Sequence, residues 1–221
     1  MKILLKKIPN LKGDIRRPFL SHEAALAIQT IEKDTDGLIY KDMWRDAVAT
    51  MAARRIRKSG QIPGYSPHNY GLSVDLDVEA LLEQKKIRYE DLLWLMKKRG
   101  WYCFRRDGVE GQTGYDHFDY LGESADYYLS KCNQDPATWG NAIEIKIWEF
   151  YGQNFQASTK EVQLQLSKIG FFKEPFTEHR DMYTREAIMA FQRAWDLIQS
   201  GSPDMTLCRV LAFVTADVSI S

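Results

Sequence analysis

The chain has 221 residues, enough for one large domain or two small ones whose cores need no disulfide support. Lys and Arg total 30, as do Asp and Glu, so the formal net charge is zero. This argues against a general nucleic-acid binder, which carries a basic excess.

Cys103, Cys132 and Cys208 are widely spaced and form no Cys-x-x-Cys pair. No disulfide framework is expected, and the thiols suit a reducing compartment. Nothing approaches the roughly 18 apolar residues of a membrane span. The start, MKILLKK, places only Ile3-Leu4-Leu5 before Lys6 and Lys7, short of the apolar run of about 7–15 residues in a secretory signal. The expectation is a chain made in the cytoplasm without membrane insertion.

Ile3-Leu4-Leu5 opens a strand. Ser21 is placed as the N-cap of a helix carrying Ala24, Leu26, Ile28 and Ile31, stopped by Asp36-Gly37. Leu38-Ile39-Tyr40 resembles a strand end. A second helix fits Asp46 to about Lys58, ended by Ser59-Gly60, and a loop rich in Gly and Pro follows from Gln61 to Gly71. Leu72 to Asp77 alternates, with Val74 and Leu76 towards a core and Ser73, Asp75 and Asp77 on the other face. Helical spacing returns over Val78–Gln84 and Tyr89–Lys98, closed by Gly100. Trp101–Phe104 and Tyr115–Leu121 suit strands, joined by the polar loop Arg105–Gly114.

An α+β domain over residues 1–133 follows from this order. Turn chemistry from Asn133 to Asn141 places a linker at 134–142, and residues 143–221 form the second unit. Ile143–Tyr151 fits strand or helix. Thr159–Ile169, Thr184–Leu197 and Asp204–Phe213 fit three helices around a small core of Val162, Leu166, Ile169, Ala187, Ile188 and Phe191.

The chemistry concentrates on few residues. The histidines are His22, His68, His117 and His179. His68 lies in the Gly-rich loop, Asp75 seven residues later on the polar face of a strand, and His117 in the alternating segment Tyr115–Tyr120. If those strands are neighbours, His68, Asp75 and His117 converge. Two imidazoles and a carboxylate make a catalytic zinc set with the fourth tetrahedral position open to water. Spacing alone equally allows surface or hydrogen-bonded core histidines.

Ser66-Pro67-His68-Asn69-Tyr70-Gly71-Leu72-Ser73-Val74-Asp75 resembles the SxHxxGxAxD signature of zinc D-alanyl-D-alanine carboxypeptidases and related L-alanyl-D-glutamate endopeptidases. These are VanY-type enzymes of the Hedgehog/D,D-peptidase fold. Met43-Trp44-Arg45 stands where the family has an aromatic-Arg pair, and His117-Phe118-Asp119-Tyr120 resembles its closing segment. The resemblance covers about residues 35–122. It implies Zn2+ at His68, Asp75 and His117. It also implies Arg45 as the cation for a substrate carboxylate or carbonyl, and Ser66 as a hydrogen-bond donor to substrate or ligand, or otherwise a turn residue.

One position departs from the pattern. Gly114 stands where the family has a Glu or Asp general base. Asp107, Glu110, Asp116 and Asp119 are nearby. Asp116 would point to the face opposite His117, and Asp119 to the same face. Glu110 is preferred as base, with Asp116 as the alternative.

Further on, Val162-Gln163-Leu164-Gln165-Leu166, Ile169-Gly170-Phe171-Phe172, Tyr183-Thr184, Ala187-Ile188, Ala190-Phe191-Gln192, Gly201 and Thr206-Leu207 are similar to the peptidoglycan-binding domain found beside wall hydrolases. Gln163, Tyr183, Thr184 and Gln192 are the expected wall contacts. Together the two resemblances imply a monomeric zinc peptidase that cleaves peptidoglycan stem peptides and resembles a phage endolysin. A non-catalytic wall-binding or virion structural protein is the alternative.

Overall fold

The computed structural model describes residues 1–13, 15–57, 61–104, 116–134 and 142–221. The expected loop at 105–114 with Glu110, Asp107 and Gly114, the helix stop at Ser59-Gly60, and nearly all of the linker 134–142 lie outside the described residues.

Alternation builds strand β1 (Lys2–Lys7), where Ile3 and Leu5 are buried and Leu4 is exposed. It pairs antiparallel with β2 (Phe19–Ser21). Helix α1 (His22–Thr35) starts behind Ser21 as expected and buries Ala24, Ala25, Ile28 and Ile31. Its end is marked by Asp36 in the left-handed conformation at φ 55°, a geometry that Asp and Asn tolerate best after glycine.

A four-stranded antiparallel sheet in the order β3-β4-β6-β5 carries the site. Its strands are β3 (Tyr40–Asp42), β4 (Ser73–Leu76), β5 (Trp101–Tyr102) and β6 (His117–Tyr120). Between them run α2 (Ala47–Arg57), a 3-10 turn (Pro67–Tyr70), α3 (Val78–Lys85) and α4 (Tyr89–Lys97). Helix α5 (Ala125–Gln134) follows. All four β4 residues are buried, so the face carrying Ser73 and Asp75 is covered rather than solvated.

Helix α6 (Ala142–Tyr151) resolves the ambiguous segment. Ile143, Ile145 and Ile147 are all buried in the first core. Burial on more than one side explains the spacing of two, because a helix enclosed by neighbours needs no single apolar stripe.

Helices α7 (Thr159–Lys168), α8 (Met182–Ala194) and α9 (Met205–Val214) form a second core. It holds Val162, Leu166, Phe172, Ala187, Ile188, Phe191, Leu207, Cys208, Val210 and Leu211. Each helix is capped: Ser158 accepts from Glu161 N–H, Asp181 from Thr184 N–H and Asp204 from Leu207 N–H. Strand β7 (Asp217–Ile220) then returns to pair in parallel with β1.

Packing therefore partitions the chain differently from a cut at Ile143. Helix α6 and strand β7 belong to the first core and its sheet, and the α7–α9 bundle is set between them.

Candidate metal centre

Strand register makes the site. β4 and β6 pair with Asp75 opposite His117 and Ser73 opposite Asp119. Partners across an antiparallel pair project to one face, so all four side chains stand together. Val74 and Phe118 are paired on the other face and fully buried.

His68 arrives from the 3-10 turn beside β4. Gly71 ends that turn at φ 67°, and a Cβ there would meet Ser21 N at 2.6 Å. Only glycine fits both demands. The turn is knitted by Asn69, which is completely buried. Its Oδ1 accepts from Gly64 N–H at 2.9 Å and Ser66 N–H at 3.2 Å. Its Nδ2 donates to Arg45 O at 2.9 Å and Thr50 Oγ1 at 2.7 Å.

The ligand atoms of His68, Asp75 and His117 all lie within 4.8 Å of one another. His68 Nε2 is 3.3 Å from His117 Nδ1 and 3.3 Å from Asp75 Oδ1. His117 Nδ1 is 2.8 Å from Asp75 Oδ1. Tetrahedral zinc with bonds of about 2.0–2.2 Å sets its donors roughly 3.3–3.5 Å apart. Two separations agree with that, and the third needs a small opening.

The outer atoms of both imidazoles are also held. His68 Nδ1 bonds the Met43 carbonyl. That oxygen only accepts, so Nδ1 carries the proton and Nε2 presents its lone pair to the centre. His117 Nε2 lies 2.9 Å from Asp119 Oδ1, which also accepts from the Ser73 hydroxyl. A carboxylate behind a ligand histidine fixes its tautomer and raises its basicity. These residues fit a zinc ion.

Without metal, both nitrogens of His117 face carboxylates. Burial works against its charge, but Asp119 and Asp75 hold its pKa well above the ordinary imidazole range. Burial also opposes ionisation of Asp75, yet His68 and His117 hold that carboxyl well below the usual range.

Arg45 is brought to this cluster in a role other than the expected one. Its Nη2 donates to Asp75 Oδ2 at 2.8 Å and its Nε to Asp42 Oδ2 at 2.6 Å. It orients a ligand carboxylate instead of reaching out for substrate, although it also lines a cleft of about 260 Å³ with Arg16, Arg17 and Lys41. Ser66 is buried and begins the 3-10 turn, bonded through its N–H to Asn69, so turn formation is its visible role. Asp116 faces Lys41 at 3.7 Å and is outside the cluster. Alternation accounts for this, since Asp116 directly precedes His117.

Three of the four expected wall contacts are interior. Gln163 is completely buried, donates to Thr184 Oγ1 at 2.7 Å and accepts from Thr177 N–H at 2.7 Å. Thr184 is buried and donates to Asp181 Oδ1 at 2.7 Å. Gln192 is buried, accepts from Gly201 N–H and donates to Ser200 Oγ, both at 2.9 Å. They clamp loops to helices and are not available to a wall polymer. Tyr183 is exposed and remains available.

Asn69 and Asp42 were missed as parts of the site. An Asn amid Gly and Pro looks like any turn residue, and Asp42 shows its role only once Arg45 is placed.

Residues 156–211 match the family model described as a putative peptidoglycan binding domain. No curated protein matches the chain. Among the described residues no helix is long and apolar enough to cross a membrane. The α+β chain thus carries a helical peptidoglycan-binding domain towards its C-terminus, with peptidoglycan as a partner and a function associated with the cell wall.

Proposed function

We propose that this chain is a zinc-dependent peptidase that hydrolyses an amide bond in peptidoglycan stem peptides, as a lysis enzyme of the endolysin type. The observation that carries the reading is the convergence of His68, Asp75 and His117, with the remote nitrogen of each histidine held. The peptidoglycan-binding domain supports the substrate class. A lysis enzyme has to break load-bearing links, which favours an endopeptidase, of L-alanyl-D-glutamate, D,D- or L,D- type, over a trimming carboxypeptidase.

Zinc bound there supplies Lewis-acid polarisation of the amide carbonyl and acidification of water. The protein's own residues do the rest. Met43 and Asp119 keep the two imidazoles facing inward, and Arg45 keeps Asp75 oriented. The cleft beside Arg45, lined by Arg16, Arg17, Lys41 and Asp42, keeps an excess of cations that suits the carboxylates of a stem peptide. Glu110 is our candidate to take up the proton released on attack and return it to the leaving nitrogen, since an amide anion is a very poor leaving group.

Gly114, at the position where the resembled family keeps its base, favours a second reading: a wall-binding protein that retains the fold and the metal without turnover.

Purified cell wall incubated with protein and zinc distinguishes the two. Hydrolysis releases new amino termini, and Glu110→Gln lowers the rate by about 10²–10⁴-fold at unchanged zinc content. No release from any wall preparation would favour the second reading. A wild-type rate in Glu110→Gln would remove Glu110 from the mechanism.

A further inference from the structure

Arg209, on α9 of the wall-binding domain, is 1% exposed. Its Nε donates to Gly64 O at 2.6 Å. Its terminal nitrogens both engage the Glu144 carboxylate of α6, the Nη2 bond being 3.1 Å. The guanidinium lies 4.0 Å from the Tyr65 ring centroid and 5.1 Å from that of Phe155. A planar cation with fixed donors, stacked and doubly anchored, is a rigid joint.

The backbone that it grips is the start of the metal-binding loop. Gly64 O also accepts from the Tyr70 hydroxyl at 2.7 Å, and Gly64 N–H donates to Asn69 Oδ1 at 2.9 Å. Tyr70 and Asn69 follow His68 directly. Ile62 and Tyr65, from the same loop, pack against the second core. Gly64 itself sits at φ 83° with Arg209 O only 3.1 Å from where a Cβ would stand. The segment that presents His68 is therefore fastened from both sides, by its own sheet and by a helix of the wall-binding domain.

We infer that Arg209 is a positioning residue for the metal centre. Through Gly64 it fixes the turn that aims His68 Nε2 at Asp75 and His117. The peptidoglycan-binding domain then does more than tether the chain to its polymer: one of its buried side chains completes the scaffold of the site. The nature of the metal rests on the reading proposed above, whereas the ordering of the loop does not.

The test compares full-length wild type with Arg209→Met, Arg209→Lys and Glu144→Gln. Amide hydrogen exchange over residues 64–72, zinc affinity by chelator competition, and retention on insoluble peptidoglycan are measured together. In Arg209→Met, exchange over 64–72 rises by about tenfold or more, and zinc binding weakens by about 10–100-fold, the range seen when an outer partner of a ligand is lost. Exchange over 159–194 and wall retention stay as in wild type. Arg209→Lys recovers part of both effects, because an ammonium reaches one acceptor but cannot bridge two.

Unchanged exchange over 64–72 in a folded Arg209→Met protein overturns the inference. If Arg209→Met does not fold, Glu144→Gln, which loosens only one anchor, must raise exchange at 64–72, and its failure to do so overturns the inference equally. If wild type binds no zinc while Arg209→Met still loosens the loop, Arg209 orders the turn that carries His68 and the zinc reading falls; a loosened loop with unchanged zinc affinity overturns the role at the metal centre.

Discussion

His117 lies between two carboxylates, and that placement makes the site depend on pH in opposite directions with and without metal. In the metal-free protein its pKa is raised, so its contribution to stability is complete below the unfolded value of about 6.5. That contribution is lost as pH rises through the folded pKa. Asp75, whose pKa is depressed, contributes above its unfolded value of about 3.9 and loses that contribution as pH falls. Zinc bound as proposed would displace the proton from His117 Nδ1, so zinc affinity should rise with pH across the range where metal-free stability declines. Chemical denaturation at pH 6 and pH 9, with chelator and with zinc, checks this. The expected result is a fall in stability between those values in chelator that zinc abolishes, and parallel profiles would show that His117 is not the coupled group. Asp119 offers a second test. Asp119→Ala leaves the three ligands in place but removes the acceptor behind His117, so zinc affinity should drop by about 10–100-fold. Chelator competition on the folded variant measures it.

At the scale of elements, sequence patterns were most informative where one face of a strand or helix meets a core. Alternation in Leu72–Asp77 and Tyr115–Tyr120 identified β4 and β6, and their adjacency is what joins Asp75 to His117. Alternation also put Asp119 on the face of His117, but the meeting of Asp75 with His117 and of Ser73 with Asp119 depends on the register of β4 against β6, which no local pattern contains. Helix α6 was illegible because it is enclosed on more than one side. Arg209 was invisible for another reason: its partner Gly64 is 145 residues away. Gln163, Thr184 and Gln192 were misassigned because a polar residue in a helical motif looks the same whether it meets ligand or clamps a loop. The structure separates these roles and makes them testable. Gln163→Ala removes the buried amide that holds Thr184 Oγ1 and Thr177 N–H, so it should cost about 1–3 kcal/mol in stability. Tyr183→Ala should leave stability within about 0.5 kcal/mol and reduce retention on peptidoglycan. Thermal melts and a pull-down of both variants measure the contrast, and weakened retention in a fully folded Gln163→Ala protein would return that residue to the contact surface.

For the molecule as a whole, the path of the chain matters more than a simple order of modules. The α7–α9 bundle leaves the first core after α6 and returns to it through β7, which pairs with β1. The bundle is thus anchored at both ends and again by Arg209 in between. Such an arrangement holds the cluster of His68, Asp75 and His117 and the α7–α9 helices in one fixed relation, which would suit the proposed enzyme, whose substrate is itself an extended solid. The most direct test of the proposed metal centre is the zinc content of the purified protein after removal of loosely bound ions. We expect one zinc per chain in wild type and none in the His68→Ala, His117→Ala double variant with its helical content intact. Absence of zinc in wild type, or full occupancy in the double variant, would contradict the assignment of His68, Asp75 and His117.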